Sequence, residues 1–307
     1  MNRYLTRRTK SSYRVNFPSI GSRFLLFFLC CIITESVWHP RSFGSEPSSE
    51  NTRTQSDSSW QWFSDNGRVF SSLLADPQEA RLTVGYLKNK HGDSFLDMGF
   101  GGDAPLMYRG KKGDDETSVT VRGLISSRFQ FFSQSFDQLN ADYIGGVALG
   151  RKWFDHSIEL FLYHESSHLG DEMLERGERT RIDYSRETIR LLYSGNLDKA
   201  LRIYCGPSIN LNGKPADIRR KWTLQAGLER SFTLQNVPLY AALDLQSKEE
   251  VGWDLNLATQ IGVYLGDPGK VHRQQRLFLE LFNGFSNMGQ FYDERELFVR
   301  LGIALDF

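Results

Sequence analysis

Residues 253–265 read WDLNLATQIGVYL. Trp253, Leu255, Leu257, Ile261, Val263 and Leu265 are odd-numbered and apolar, whereas Asp254, Asn256, Gln260 and Gly262 are even-numbered and polar or small. On a helix, residues two apart point to nearly opposite sides, so this apolar set would wrap the axis. On a strand it forms one continuous face. The stretch therefore reads as a β-strand with one apolar and one polar side.

The same alternation extends in both directions. Downstream, Leu277, Leu279 and Leu281 alternate with Arg276 and Glu280. Then Leu297, Val299, Leu301, Ile303, Leu305 and Phe307 alternate with Glu296, Arg300 and Asp306. Upstream, Leu239, Ala241, Leu243 and Leu245 alternate with Tyr240, Asp244 and Gln246, and Trp222, Leu224, Ala226 and Leu228 with Thr223, Gln225 and Glu229. Further strand candidates fall near 80–88, 94–109, 117–133, 140–153, 156–169, 181–194 and 200–211. The total is about twelve, an even number that returns both chain ends to one side.

Alternation alone does not say which face is wet. A soluble sandwich turns its apolar face inward, whereas a membrane barrel turns it out to lipid. Here the other face carries Arg122, Arg128, Arg186, Arg190, Arg202 and Arg300 with Glu229, Asp244, Asp254 and Glu280, as a polar lumen would. Connections alternate between tight (Trp153 to His156) and long (Gly170 to Thr180). The chain ends on an alternating strand whose last residue is Phe307, which resembles the assembly signal of bacterial outer-membrane barrels. The sequence thus predicts an all-β fold, one antiparallel transmembrane β-barrel over 80–307, in the bacterial outer membrane. Its expected partners are outer-leaflet lipids and, through the last strand, the assembly machinery.

Composition excludes other classes. The 307 residues hold 37 Lys and Arg against 37 Asp and Glu, a net charge of zero, which argues against a nucleic-acid partner. No run of eighteen apolar residues occurs, so no helical span is expected. Residues 1–44 read as a signal peptide: Arg3, Arg7, Arg8, Lys10, Arg14 and Arg23 precede the short apolar run FLLFFLCCII, Phe24 to Ile33, with small residues up to Gly44. Leu29 before Cys30 is the wrong residue for a lipoprotein. Residues 45–79 form a polar leader and periplasmic segment. Its apolar residues Trp60, Trp62, Phe63, Phe70, Leu73 and Leu74 are expected to plug or brace the periplasmic mouth. Cys205, the one cysteine beyond the leader, reads as a small apolar residue. Gly99, Gly101 and Gly102 suggest a bend or bulge in their strand.

The segments LLADPQEARLTVGY, QLNADYIGG, YHESSHLGDE and SNMGQFYDERELFVRLGIALDF resemble the family called domain of unknown function 1207, over residues of about 70 to 307. The resemblance implies a shared barrel-like architecture and no particular chemistry.

One constellation suggests chemistry. Ile158, Leu160, Leu162, His164, Ser166 and His168 share the apolar, lipid-facing side of one strand. His164 can act as general base toward Ser166, the nucleophile on an ester, if a third group orients the imidazole. On the next strand Asp183, Ser185 and Glu187 share the outward parity. A hairpin centred near 174–175 sets His164 opposite Ser185, with Asp183 the preferred acid and Glu187 next. The pair resembles the His-x-Ser of outer-membrane phospholipase A and of lipid A deacylase, in which a polar partner stands on the neighbouring strand. Those motifs continue into Asn-Gly. Here Ser167, His168, Leu169 and Gly170 follow, and backbone N–H groups near His168 become the candidate oxyanion donors.

Other readings stay open at this point. The cluster can be a polar interfacial patch on a structural barrel or narrow pore. Alternatively, His164 and His168 with Asp171 and Glu172 bind a metal or a lipid headgroup. No nucleotide loop, zinc motif or metal-ligand spacing is present in the sequence, which names no cofactor.

Overall fold

The computed structural model describes residues 59–64, 67–111, 114–133, 136–177, 179–266 and 274–306. The expected signal peptide, most of the polar leader and Phe307 lie outside the described residues.

A two-residue strand, β1 (Gln61–Trp62), precedes twelve long ones: β2 (Leu82–Asn89), β3 (Ser94–Gly110), β4 (Asp115–Gln130), β5 (Gln138–Trp153), β6 (His156–Leu169), β7 (Tyr184–Asn196), β8 (Leu201–Lys214), β9 (Trp222–Leu234), β10 (Val237–Lys248), β11 (Leu255–Tyr264), β12 (Gln274–Phe285) and β13 (Arg295–Asp306). Each long strand pairs antiparallel with its sequence neighbours. The sheet closes where β13 lies against β2, with Leu305 opposite Leu82 and Phe298 opposite Asn89. The last barrel strand therefore pairs with the first, as the shared apolar parity predicts. Closure leaves no row of unpaired backbone groups between those strands to face lipid. The fold is an all-β antiparallel transmembrane barrel of twelve strands. Among the described residues no helix is long and apolar enough to cross a membrane; α1 (Asp171–Glu175) is a single turn.

The connections differ at the two ends. At the end holding the start of β2 and the finish of β13, termed proximal, β9 and β10 join through Gln235 and Asn236, both at positive φ. Such residues suit the two-residue turns that match strand twist. At the distal end the β6–β7 connection carries α1, and the β12–β13 connection folds inward. In the latter, Gln290 is fully buried. Its side chain donates to the carbonyls of Ser167 (2.8 Å) and Ile182 (3.0 Å) and accepts from the Ile182 N–H (3.1 Å).

The polar face lines the lumen, and cross-strand pairs fill it. Arg128 bonds Asp97 at 2.6 Å, Arg122 bonds Asp103 at 2.6 Å and Glu159 at 2.7 Å, and Arg186 bonds Glu165 at 2.7 Å. Arg276 pairs with Asp306 at 2.7 Å and Arg300 with Glu280 at 2.8 Å. Breaking one member of such a buried pair costs about 3–5 kcal/mol, because the other charge is left without a partner. The segment 67–81 runs inside this lumen. Phe70 and Leu73 pack on Leu192 and Tyr204, and Ala75 on Tyr240 and Phe278. Arg68 reaches Glu79 (2.5 Å), Glu159 (3.0 Å) and Asp103 (3.3 Å). Burial alone would raise the Glu79 carboxyl; the guanidiniums of Arg68, Arg122, Arg81 and Arg190 hold it well below its ordinary range. Of the apolar residues expected near the mouth, Phe70 and Leu73 are plug residues, while Trp62 and Phe63 stay exposed beside β3.

Three local expectations are corrected. Trp253 is not in β11: it sits in the preceding turn at φ 66, and the strand starts at Leu255. Asp254 does not face the lumen but makes an exposed pair with Arg295 at 2.7 Å, because the turn carries it clear of the sheet. Gly99, Gly101 and Gly102 pair in regular register with Ser126, Leu124 and Gly123. The irregularity in β3 falls instead between Pro105 and Met107, where proline lacks the N–H that the ladder needs.

Candidate functional site

Side-chain alternation on β6 places Glu159, Phe161, Glu165 and Ser167 in the lumen, all buried. Leu160, Leu162, His164 and His168 face outward. On β7, Tyr184, Arg186 and Thr188 are inward, and Ser185 and Glu187 outward. The register between the two strands sets the site. His164 is opposite Glu187 and Ser166 opposite Ser185, two residues from the expected pairing. Parity permits only shifts by two, since a shift by one would turn every apolar residue into the lumen. The long connection fixes the choice between the allowed registers, and the lumen reinforces it. Glu165, between His164 and Ser166, bonds Arg186 from its partner position. Gln290 ties Ser167 to Ile182 just beyond.

Two ladder steps of register bring Glu187 to the imidazole: His164 Nδ1 and Glu187 Oε1 are 3.0 Å apart. An ionised carboxylate has no proton to give, so Nδ1 is the donor and Nε2 is left as the basic nitrogen. Both side chains are accessible from outside, His164 by 53% and Glu187 by 42%. Ser166 shares their face, one outward position further toward the distal end. No hydrogen bond joins its hydroxyl to His164 among the described residues. Asp183, the preferred acid, is not the partner. It precedes β7, and Lys214 Nζ holds it at 3.1 Å. The expected oxyanion donors near His168 are also corrected. β6 stays in the β5 ladder through Leu169, opposite Asn140, and the Gly170 N–H is bound to the Leu139 carbonyl at 2.9 Å. The outward donor there is a side chain: the Arg181 guanidinium, which donates to His168 Nδ1 at 2.9 Å.

Asp171 and Glu172 lie in α1. Among the described residues no three His, Cys, Asp or Glu side chains converge as metal ligands, so His164 and His168 do not form the metal cluster considered above.

Sequence reading missed the ground around the pair. Across the ladder, His164 continues a row of glycines: Gly102 of β3, Gly123 of β4 and Gly145 of β5 are successive register partners, and Gly145 faces His164. Neither Gly123 nor Gly145 is required by the barrel. A Cβ at Gly145 would meet nothing within 4 Å, and one at Gly123 would meet only the Ile144 carbonyl oxygen, at 3.9 Å. Inward-facing Gly146 differs, since a Cβ there would lie 2.2 Å from the Leu162 oxygen. The glycine row is thus a trough in the outer wall. Phe100, Ile125 and Tyr143 border it on the distal side, and Ala104, Val121 and Val147 on the other. These rows are about 13 Å apart along the strands, four strand residues. The row slants. Asn212, its member on β8, is two residues from that strand's distal end, whereas Gly102 is eight residues from the distal end of β3. The only sequence signal for it was three in-strand glycines with no turn nearby, and their alignment depends on cross-strand register.

An apolar outer wall over a charged, plugged lumen defines this molecule as a transmembrane β-barrel of the outer-membrane type, with a polar His/Ser/Glu cluster on its lipid-facing side. The chain belongs to the family described as protein of unknown function (DUF1207), whose model matches residues 34–307. No curated protein sequence matches it. Among solved structures it is similar to the outer-membrane phospholipase A of Escherichia coli, at 14% identity and a TM-score of 0.49, covering 74% of this chain and 92% of that one. The calcium-bound dimer of the Salmonella typhi outer-membrane phospholipase gives 12% identity and a TM-score of 0.49 over 78% and 94%. The KdgM porin, in complex with a disordered oligogalacturonate, gives 10% and 0.41 over 74% and 99%. At this distance none of the three carries an argument about this chain.

Proposed function

We propose that this barrel is an acyl-ester hydrolase of the bacterial outer membrane, acting on lipid in the outer leaflet. The observation that carries the proposal is the 3.0 Å contact between His164 Nδ1 and Glu187 Oε1 on the outer wall, with Ser166 on the same face. Glu187 orients the ring and stabilises the imidazolium that forms. His164 Nε2 takes the Ser166 proton as Oγ attacks the ester carbonyl. Collapse of the tetrahedral adduct breaks the ester C–O bond. The leaving alkoxide takes the proton back from Nε2, and water then frees the acid from Ser166 by the same relay.

Two features support lipid as the substrate. The cluster is open on the outer wall and closed to the lumen, and the glycine trough, which starts at Gly145 beside His164, gives an acyl chain a bare path away from the cluster. Segment 67–81 and the ion pairs around Arg68 and Glu159 lie within the lumen and narrow the path that the alternative, a pore, would need. The test is release of fatty acid from mixed phospholipid vesicles holding refolded protein. Ser166→Ala is expected to cut turnover by about 10³-fold or more, as loss of a nucleophile does, with the barrel still folded. Equal fatty-acid release by wild type and Ser166→Ala would refute the assignment.

A further inference from the structure

Two cations flank the Ser166 hydroxyl at the distal rim. The first is Arg181. Its guanidinium lies over His168, one outward position beyond Ser166 on β6, or about 7 Å along the strand. It bonds imidazole Nδ1, and no carboxylate among the described residues pairs with it. The His168 ring is itself held edge-on to Tyr143, with centroids 5.6 Å apart, and Tyr143 is the register partner of Ser166 on β5. The second cation is Lys214. Register runs from Ser166 to Ser185 to Lys214, two ladder steps, or about 10 Å of sheet. Lys214 is 65% exposed and uses one of its three donors on Asp183. Continuing past Lys214, the β8–β9 connection adds exposed Arg219 and Arg220, which have no acidic partner among the described residues. Of the acids beside them, Asp183 is engaged by Lys214, Glu187 by His164, and Asp217, in the same β8–β9 connection, accepts from the Tyr292 hydroxyl at 2.9 Å. The rim beside the nucleophile therefore keeps positive charge, and Arg181 offers the planar fork that fits a phosphate.

We infer that Arg181 and Lys214 form a subsite for a lipid phosphate, so that the substrate of the proposed hydrolase is an acyl lipid with a phosphate in its headgroup. The inference rests on the function proposed above and adds its polar specificity. In a glycerophospholipid the phosphate and the acyl ester stand on neighbouring carbons of one glycerol. A phosphate seated between Arg181 and Lys214 brings that ester over Ser166, with its chain passing beside Tyr143 and His164 into the glycine trough that begins at Gly145. The cations act on binding and leave the reacting bonds to Ser166 and His164.

The test separates the subsite from the hydrolase. Full-length Ser166→Ala protein, refolded in a zwitterionic detergent, is titrated by tryptophan fluorescence or calorimetry. The ligands are a short-chain phosphatidylglycerol, the diacylglycerol with the same chains, and inorganic phosphate. The phospholipid is expected to bind at least about tenfold tighter than the diacylglycerol, an ion-pair contribution of about 1.4 kcal/mol. A further Arg181→Ala, Lys214→Ala exchange should remove that preference and leave diacylglycerol binding unchanged. Both residues are exposed, and the heat-dependent gel shift of a folded barrel checks that the variants fold. Equal affinity for the two lipids would overturn the subsite, as would a preference that survives the double exchange. Inorganic phosphate binding as tightly as the phospholipid would overturn its assignment to lipid. A phosphate preference without any wild-type fatty-acid release would refute the hydrolase and keep the subsite.

Discussion

The inner and outer faces of the β6–β7 pair carry the same kinds of residue in opposite circumstances. Inside, Glu159 meets Arg68, Arg122 and Arg190, and Glu165 meets Arg186, with almost no surface left uncovered. Outside, Glu187 meets one imidazole, and both remain open to the surroundings. A buried carboxylate surrounded by guanidiniums has no freedom to exchange protons or partners, so the lumen network is architecture. An exposed carboxylate bonded to Nδ1 leaves Nε2 basic and accessible, which is the condition for chemistry. Adjacent residues on one strand divide in this way because alternation sends them to opposite faces.

The sharpest way to break this comparison is to neutralise one carboxylate on each face. Glu159→Gln leaves three buried guanidiniums short of a counter-charge and should lower unfolding free energy by about 3–5 kcal/mol, measured by urea titration of the refolded barrel. Activity per folded molecule should stay near wild type. Glu187→Gln should do the reverse. Its stability should stay within about 0.5 kcal/mol, as for most surface exchanges. Turnover should fall by about 10²-fold or more, since the amide no longer stabilises the imidazolium. Asp183→Asn, next to the site but bonded to Lys214, should leave turnover within about twofold, within the range of a neutral surface exchange. If Asp183→Asn costs as much as Glu187→Gln, the assignment of the orienting acid is wrong. A more selective effect is expected from Gly145→Leu. A Cβ at Gly145 meets nothing within 4 Å and points out of the barrel, so folding should be unaffected, while KM for long-chain esters rises several-fold and kcat for short-chain esters holds. No difference between chain lengths would remove the trough from the site.

The pattern in residues 253–265 and its repeats determined most of the fold without tertiary information. A strand has a side-chain period of two, so the parity of each segment already sorts its residues onto two faces; the arginines and acids on the opposite face then assign the apolar one to lipid, where a sheet must close. His164 and Ser166 were legible for the same reason, as polar residues on an apolar parity. Parity is silent on the number of residues by which neighbouring strands are offset. Any shift by two preserves it, so the sequence left Asp183 and Glu187 both eligible. The β6–β7 connection and the lumen bonds Glu165–Arg186 and Gln290–Ile182 selected Glu187. The glycine trough and the Arg181–His168 contact likewise depend on register between strands and on the return of a loop over the rim. The plug shows the same division. Its apolar residues announced that segment 67–81 packs somewhere, and only the assembled lumen, with complementary charges facing Arg68 and Glu79, placed it inside.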